Sequence, residues 1–340
     1  MTTLTHDPAR TAPAGPARKA RGPRLGGPVW LVWRQHRAAF WTLIAAMVIG
    51  VLVMVHLRGQ VMDFLAAQEP TARRLGGLPS EFETHVDRLH TIGSYLDYIP
   101  VLAGVLLGAP LFAGDLETGT AKLVTSQSVS RMRWLVTKLA VPAVILTLST
   151  GVLTAALTWW WNPLKGFSEA LNWTAFFSVT GVVPVAFTLL TFTVGAAVGL
   201  VLRRTLVSMV VTLGIVAAMG FVWSQLWRNL GHVLSLSTHE GVGPGAVQPD
   251  LPAQAEQQGQ GTYFLTSSGD RLDWTTCLDE IENDRAHTAC LESKNVVGWS
   301  LDYLPLSQMQ TMQWLGAGIM LALAAAGTGF VIVWGRKRLL

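Results

Sequence analysis

Charge is scarce in this chain. Only 14% of its 340 residues are Asp, Glu, Lys or Arg, where a water-soluble domain carries about a quarter. Half of the residues are hydrophobic. They fall in long runs rather than amphipathic stripes, which excludes an ordinary soluble fold and points to an integral membrane protein. Those runs hold almost no ionisable side chain, although a secondary transporter usually needs such groups near the midplane to bind protons or ions. Catalytic signatures are missing as well. No Gly-Lys dipeptide occurs, so there is no phosphate-cradling loop with its lysine. Neither a His-Glu-x-x-His metal pair nor a Gly-x-Ser-x-Gly elbow is present. No internal repeat is evident, and there are only two cysteines, Cys277 and Cys290.

What the chain does have is six apolar runs, each long enough to cross a bilayer: Ala38–Leu57, Tyr95–Ala113, Leu139–Trp161, Trp173–Leu202, Leu206–Trp227 and Met312–Trp334. Residues 1–26 are rich in Pro, Ala, Gly and Arg, and are expected to be disordered. No apolar core follows closely enough for a cleavable signal. The partner expected for this basic tail is the anionic inner leaflet rather than nucleic acid. Pro28–Arg37 places Val29, Trp30 and Trp33 beside Arg34, Gln35 and Arg37, which suits a helix lying in the interface with its charges facing water.

Arg58–Ile92 reads as a polar loop with a helical piece. Ser80-x-x-Glu83 has the form of a capping box, and Phe82, Val86, Leu89 and Ile92 follow at helical spacing. Asp97 falls at the outer rim of the second span. The fourth run contains Pro184 and is long enough to tilt or break. Gly104-x-x-x-Gly108 and Gly195-x-x-x-Gly199 either let helices approach closely or reflect a glycine-rich composition. Thr147, Ser149, Thr150, Thr154 and Thr158 line the third span, and Thr180, Thr188, Thr191 and Thr193 the fourth. Hydrogen bonding between helices is the preferred reading of both stripes, over a substrate path.

Residues 229–309 are polar, acidic and rich in Gly and Gln. Tyr263–Leu265 suggests a short strand and Trp274–Glu292 a partly helical piece. Six spans put the N-terminal tail, the loop after the second span, Arg203-Arg204 and the C-terminus on one side. That side holds sixteen of the 25 Lys and Arg but three of the 21 Asp and Glu, which makes it cytoplasmic. The polar domain is then extracytoplasmic. In that oxidising compartment, Cys277 and Cys290 are expected to form a disulfide rather than a metal site with His287.

The interval Phe112–Lys138 is the longest polar stretch between two spans that carries ordered helix signals. Asp115 and Glu117 open it, Gly119-Thr120 breaks it, and Leu123 and Val124 form a short apolar piece. Ser130 suits the N-cap of the returning helix, followed by Arg131, Arg133 and Lys138. On residues alone this is a solvated loop whose cations fix orientation. The string Glu117-x-Gly119-Thr120-x-x-Leu123, then Val129-Ser130-Arg131 and Lys138, resembles the cytoplasmic loop of ABC-2-type permeases, the membrane subunits of ATP-binding-cassette transporters. Ser128 stands where that family often has Pro. Trp30, Trp33, Arg34 and Arg37 resemble the family's short elbow helix.

The resemblance implies that Asp115, Glu117, Gly119, Thr120, Leu123, Ser130, Arg131, Arg133 and Lys138 belong to a loop that docks on a cytoplasmic ABC ATPase. Two ATPase copies are implied, as is a homodimer or a heterodimer with a related permease, in a bacterial cytoplasmic membrane. ATP and Mg would sit on the partner, with no cofactor, metal or catalytic residue in this chain, and export is the implied direction. The alternatives are a secondary transporter or channel, and a non-transporting membrane regulator that senses through its outer domain. The expected fold is all-α integral membrane. A tail (1–26) precedes the elbow helix and transmembrane helices 1–5 (27–228). An extracytoplasmic domain (229–309) and transmembrane helix 6 with the C-terminus (310–340) complete it.

Overall fold

The computed structural model describes residues 27–68, 79–119, 131–165, 167, 169–242, 246–280 and 284–338. Six helical stretches among them are long and apolar enough to cross a membrane: Val29–Ala67, Glu81–Glu117, Met132–Trp161, Val183–Leu202, Thr205–Leu230 and Leu306–Lys337. The N-terminal tail lies outside the described residues.

Helix α1 (Pro28–Ala67) begins after Gly27, whose φ is 64°, with Pro28 at its first position. Forty residues of helix are about 60 Å long, roughly twice a hydrocarbon core. The helix runs unbroken through Arg37 and Ala38. The expected separate elbow is therefore the first turns of α1, because no Gly or Pro interrupts the sequence there. At its far end α1 also outruns the apolar stretch. Val61 and Leu65 are buried, and Phe64 lies 6.4 Å from Phe82 of α2 (Glu81–Asp97). The loop expected at 58–92 is thus largely an antiparallel helix pair. Ser80 has helical backbone angles and makes no side-chain cap bond, so the capping box is not formed.

The second span continues from α2 through α3 (Ile99–Leu102), a single π-helical stretch (Ala103–Gly108) and α4 (Ala109–Glu117). Pro110 has no N–H for the preceding turn, and its ring crowds the carbonyl four residues back. The wider π turn lies just before it, where such bulges relieve a broken ladder. Helix α5 (Arg131–Trp161) carries Pro142 without interruption. The fourth run does break. A short α6 (Trp173–Phe176) is followed by a turn with Gly181 at φ 67°, then by α7 (Val183–Leu202), with Pro184 in its first turn. Gln313 bridges the break, its Nε2 donating to the carbonyls of Phe177 and Thr180 at 3.1 Å each. Arg203, in the left-handed region at φ 57°, turns the chain directly into α8 (Thr205–Leu226).

The two glycine pairs meet each other. A Cβ on Gly104 would stand 2.9 Å from the carbonyl oxygen of Thr191, and one on Gly199 would collide with that of Ala109. Thr191 Oγ1 donates to the Pro100 carbonyl at 2.6 Å. Close helix approach, with a threonine as the polar link, is therefore what this stripe does.

The segment after α8 is a four-stranded antiparallel sheet, so the expectation of an all-α chain is corrected. The strands are β1 (Leu234–Thr238), β2 (Glu256–Thr266), β3 (Arg271–Asp273) and β4 (Val296–Leu304), in the order β1-β4-β2-β3. Helix α9 (Asp284–Ser293) packs against the sheet. Phe264, Leu291 and Val296 are buried there, and the Phe264 ring lies 4.5 Å from that of Trp299. Cys277 and Cys290 form a disulfide with a Cα–Cα distance of 6.0 Å. Asp273 accepts from the N–H and Oγ1 of Thr275, which holds its carboxyl below the usual carboxylate range. Helix α10 (Met309–Arg338) closes the chain. Just before it, Gln308 bonds both the N–H and the carbonyl of His232, which fixes the sheet on the bundle.

Besides the sheet's own cluster, two apolar cores form among the described residues of the bundle. At the end that carries the sheet, Trp160, Trp161, Trp173, Phe176, Phe177 and Trp227 pack together. At the end where α1 begins and α10 finishes, Phe112, Trp134, Leu135, Leu200 and Val331 form a second core.

Candidate functional site

The second core encloses a charged cluster. Helix α4 brings Asp115 to it, two turns after the π stretch, and α5 brings Lys138, two turns after Arg131. Lys138 has no exposed surface and Asp115 only 7%. The Lys138 ammonium bonds Asp115 Oδ2 directly, and Gln35 Nε2 of α1 donates to Asp115 Oδ1 at 2.7 Å. Aromatic faces complete the ammonium's surroundings. Nζ stands 5.1 Å from the Trp134 ring and 5.5 Å from that of Phe112, within range of cation–π attraction. His36 is half-buried beside the cluster, its ring 6.0 Å from that of Phe40.

A second contact lies two residues further along α4. Glu117 Oε2 accepts from the backbone N–H of Thr205 at 2.8 Å. A carboxylate at the C-terminus of its own helix is poorly placed with respect to that helix dipole. Here it answers the first orphan N–H of α8 instead, where negative charge is favoured. This partner differs from Arg131 or Arg133, the in-loop partners that charge alone would suggest. Thr118 then caps α4 through its Oγ1 to the Gly114 carbonyl at 2.8 Å, and Gly119 turns the chain at φ 72°.

Thr120, Leu123 and Ser130 lie outside the described residues. Arg131 is the first residue of α5, and Arg133 is exposed one turn before Lys138. Of the elbow residues, Arg34 stacks over the Trp30 ring at 5.1 Å, Trp33 packs 5.5 Å from Phe40, and Arg37 is exposed. Gln35, read from sequence as water-facing, is exposed and also reaches Asp115 of the cluster. Gln35, His36 and Thr205 carried no motif. They could be found only by knowing that α1 and α8 begin beside the end of α4.

The arrangement supplies no nucleophile and, among the described residues, no group of side chains suited to a metal. It can fix three helices to each other. Breaking a buried pair by removing one partner costs about 3–5 kcal/mol, so α1, α4 and α5 are held as a unit around Asp115, with α8 linked through Glu117.

A family model described as ABC-2 membrane transporter related matches residues 44–228, just over half of the chain. No curated protein matches it.

Proposed function

Because the chain belongs to the ABC-2 membrane transporter related family, as a multi-pass membrane component of an ABC transporter, we propose that it is an exporter's permease driven through residues 115–138. The ATPase is a separate cytoplasmic subunit, which binds ATP and Mg and is present in two copies. The permease pairs with a second copy or a related chain. Its termini and the Asp115–Lys138 segment face the cytoplasm, a reading that the distribution of Lys and Arg supports, and the sheet domain faces outward.

One observation carries this reading. Both ends of residues 116–137 are tied by the same buried ion pair, and that pair also holds the start of α1. A push on the intervening segment, delivered as the ATPases close, would reach three helices rather than be lost in a slack connector. Glu117 would extend it to α8. The test uses the purified complex with its cognate ATPase. Glu117→Ala and Gly119→Val are expected to leave membrane insertion intact and to lower complex yield or uncouple hydrolysis from transport. The glycine variant forces a β-branched residue into a left-handed backbone. If both variants assemble and transport like the parent, the segment is only a connector.

A further inference from the structure

The opposite end of the molecule has a cavity of its own. A cavity of about 870 Å³ opens between the segment Leu251–Gln257, the Ala170–Ala175 stretch and His90 of α2. Its size is that of a small-molecule pocket. A smaller cavity of about 150 Å³ adjoins it, sharing His90 and Ala175, and continues along α2 past Ser94 to Asp97. His90, Ser94 and Asp97 share one helical face, so the two cavities form a trough running from the sheet domain down into the bundle.

The trough is rich in acceptors and poor in cations. Glu256 Oε2 accepts from Asn172 Nδ2 and Thr174 Oγ1, both at 3.2 Å, which fixes the carboxylate against the wall. Gln254 Oε1 is buried with no hydrogen-bond partner among the described residues. Such an atom costs free energy unless something donates to it. His90 Nε2 donates to the Ala170 carbonyl at 2.7 Å, which fixes the ring at the junction of the two cavities. Among the described residues no Lys or Arg lines either cavity, and neither Glu256 nor Asp97 belongs to an ion pair. Phe176 lies behind the smaller cavity, its ring buried between those of His90 at 5.1 Å and Trp161 at 5.4 Å.

We propose that this trough binds an organic cation, with an ammonium or guanidinium group held by Glu256 and a further donor group of the ligand reaching Asp97 in the adjoining cavity. The chemistry is that of charge-assisted hydrogen bonds to the fixed Glu256 carboxylate and to the exposed Asp97. The inference is independent of the coupling described at the other end of the bundle, because it uses none of those residues.

The test is a fluorescence titration of the full-length protein in lipid nanodiscs with dansylcadaverine. Its carboxylate counterpart, dansylaminohexanoic acid, is the control. The amine should bind saturably and be displaced by spermine, which does not partition into lipid, and the acid should not bind. Glu256→Gln keeps the acceptor toward Asn172 and removes the charge, and Asp97→Asn leaves the Glu256 contacts untouched. Each should weaken amine binding by about tenfold or more, the usual size of a charge-assisted contact. Equal binding of the acid, no displacement by spermine, or unchanged affinity in both variants would overturn the proposal.

Discussion

A lysine with no exposed surface must either give up its proton or keep a counter-charge within reach. Lys138 keeps Asp115, and the aromatic rings of Phe112 and Trp134 close over the pair. The energetics of such a pair are asymmetric. Losing one partner strands a buried charge, whereas replacing both with apolar side chains is often neutral or stabilising. Lys138→Met and Asp115→Asn should therefore each destabilise the protein by about 3–5 kcal/mol, and the double variant Asp115→Leu with Lys138→Met should recover most of that loss. Thermal unfolding in detergent, followed by tryptophan fluorescence, measures all three. Additive losses would show that the two residues do not act as a pair. Both residues were legible in the sequence as the acidic and basic ends of one polar interval. Their pairing was not, because it depends on α4 and α5 lying side by side. Gln35, eighty positions before Asp115, was read only as a water-facing residue of the interfacial helix, with no local sign of this bond.

At the scale of elements, run length was the strongest guide. The six spans were legible because apolar stretches of that length have few other solutions. Their ends were not. Val61, Leu65, Phe82 and Val86 continue α1 and α2 past the apolar run by packing on each other, a tertiary effect that hydropathy alone misses. The sheet was read only at Tyr263–Leu265. Most of the rest of β2 is Glu, Gln, Gly and Thr, and its strand state comes from pairing with β4 across Glu256↔Leu304 and Thr262↔Leu301. The glycine pairs were legible as candidates, and the structure supplies their partner in each other. Gly195→Val should break the contact between α7 and the second span, because its Cβ would meet the Gly104 carbonyl. Overpacking of this kind costs about 1–3 kcal/mol or more when backbone is the obstacle. Gly214→Val on α8, where a Cβ meets nothing within 4 Å, is the matched control. Detergent melting curves should separate the two, and equal tolerance would mean that the close approach contributes nothing.

At the scale of the whole molecule, the chain has two distinct ends. One holds the ion pair and the Glu117 cap around the starts of α1, α5 and α8. The other holds the disulfide-linked sheet and the acceptor-lined trough. Helices α1 and α8 leave Leu52, Leu206, Val210 and Phe221 exposed in a single chain, surface that lipid or a second permease chain would cover. The central claim is that the ATPase engages the end carrying the ion pair, through residues 115–138. The most direct measurement places a photoreactive benzoylphenylalanine at Leu123, and separately at Tyr303 on β4, in membranes that contain the cognate ATPase. The account expects an adduct with the ATPase from position 123 and none from position 303. An adduct from position 303, or none from position 123 in a complex that still hydrolyses ATP with transport, would contradict it.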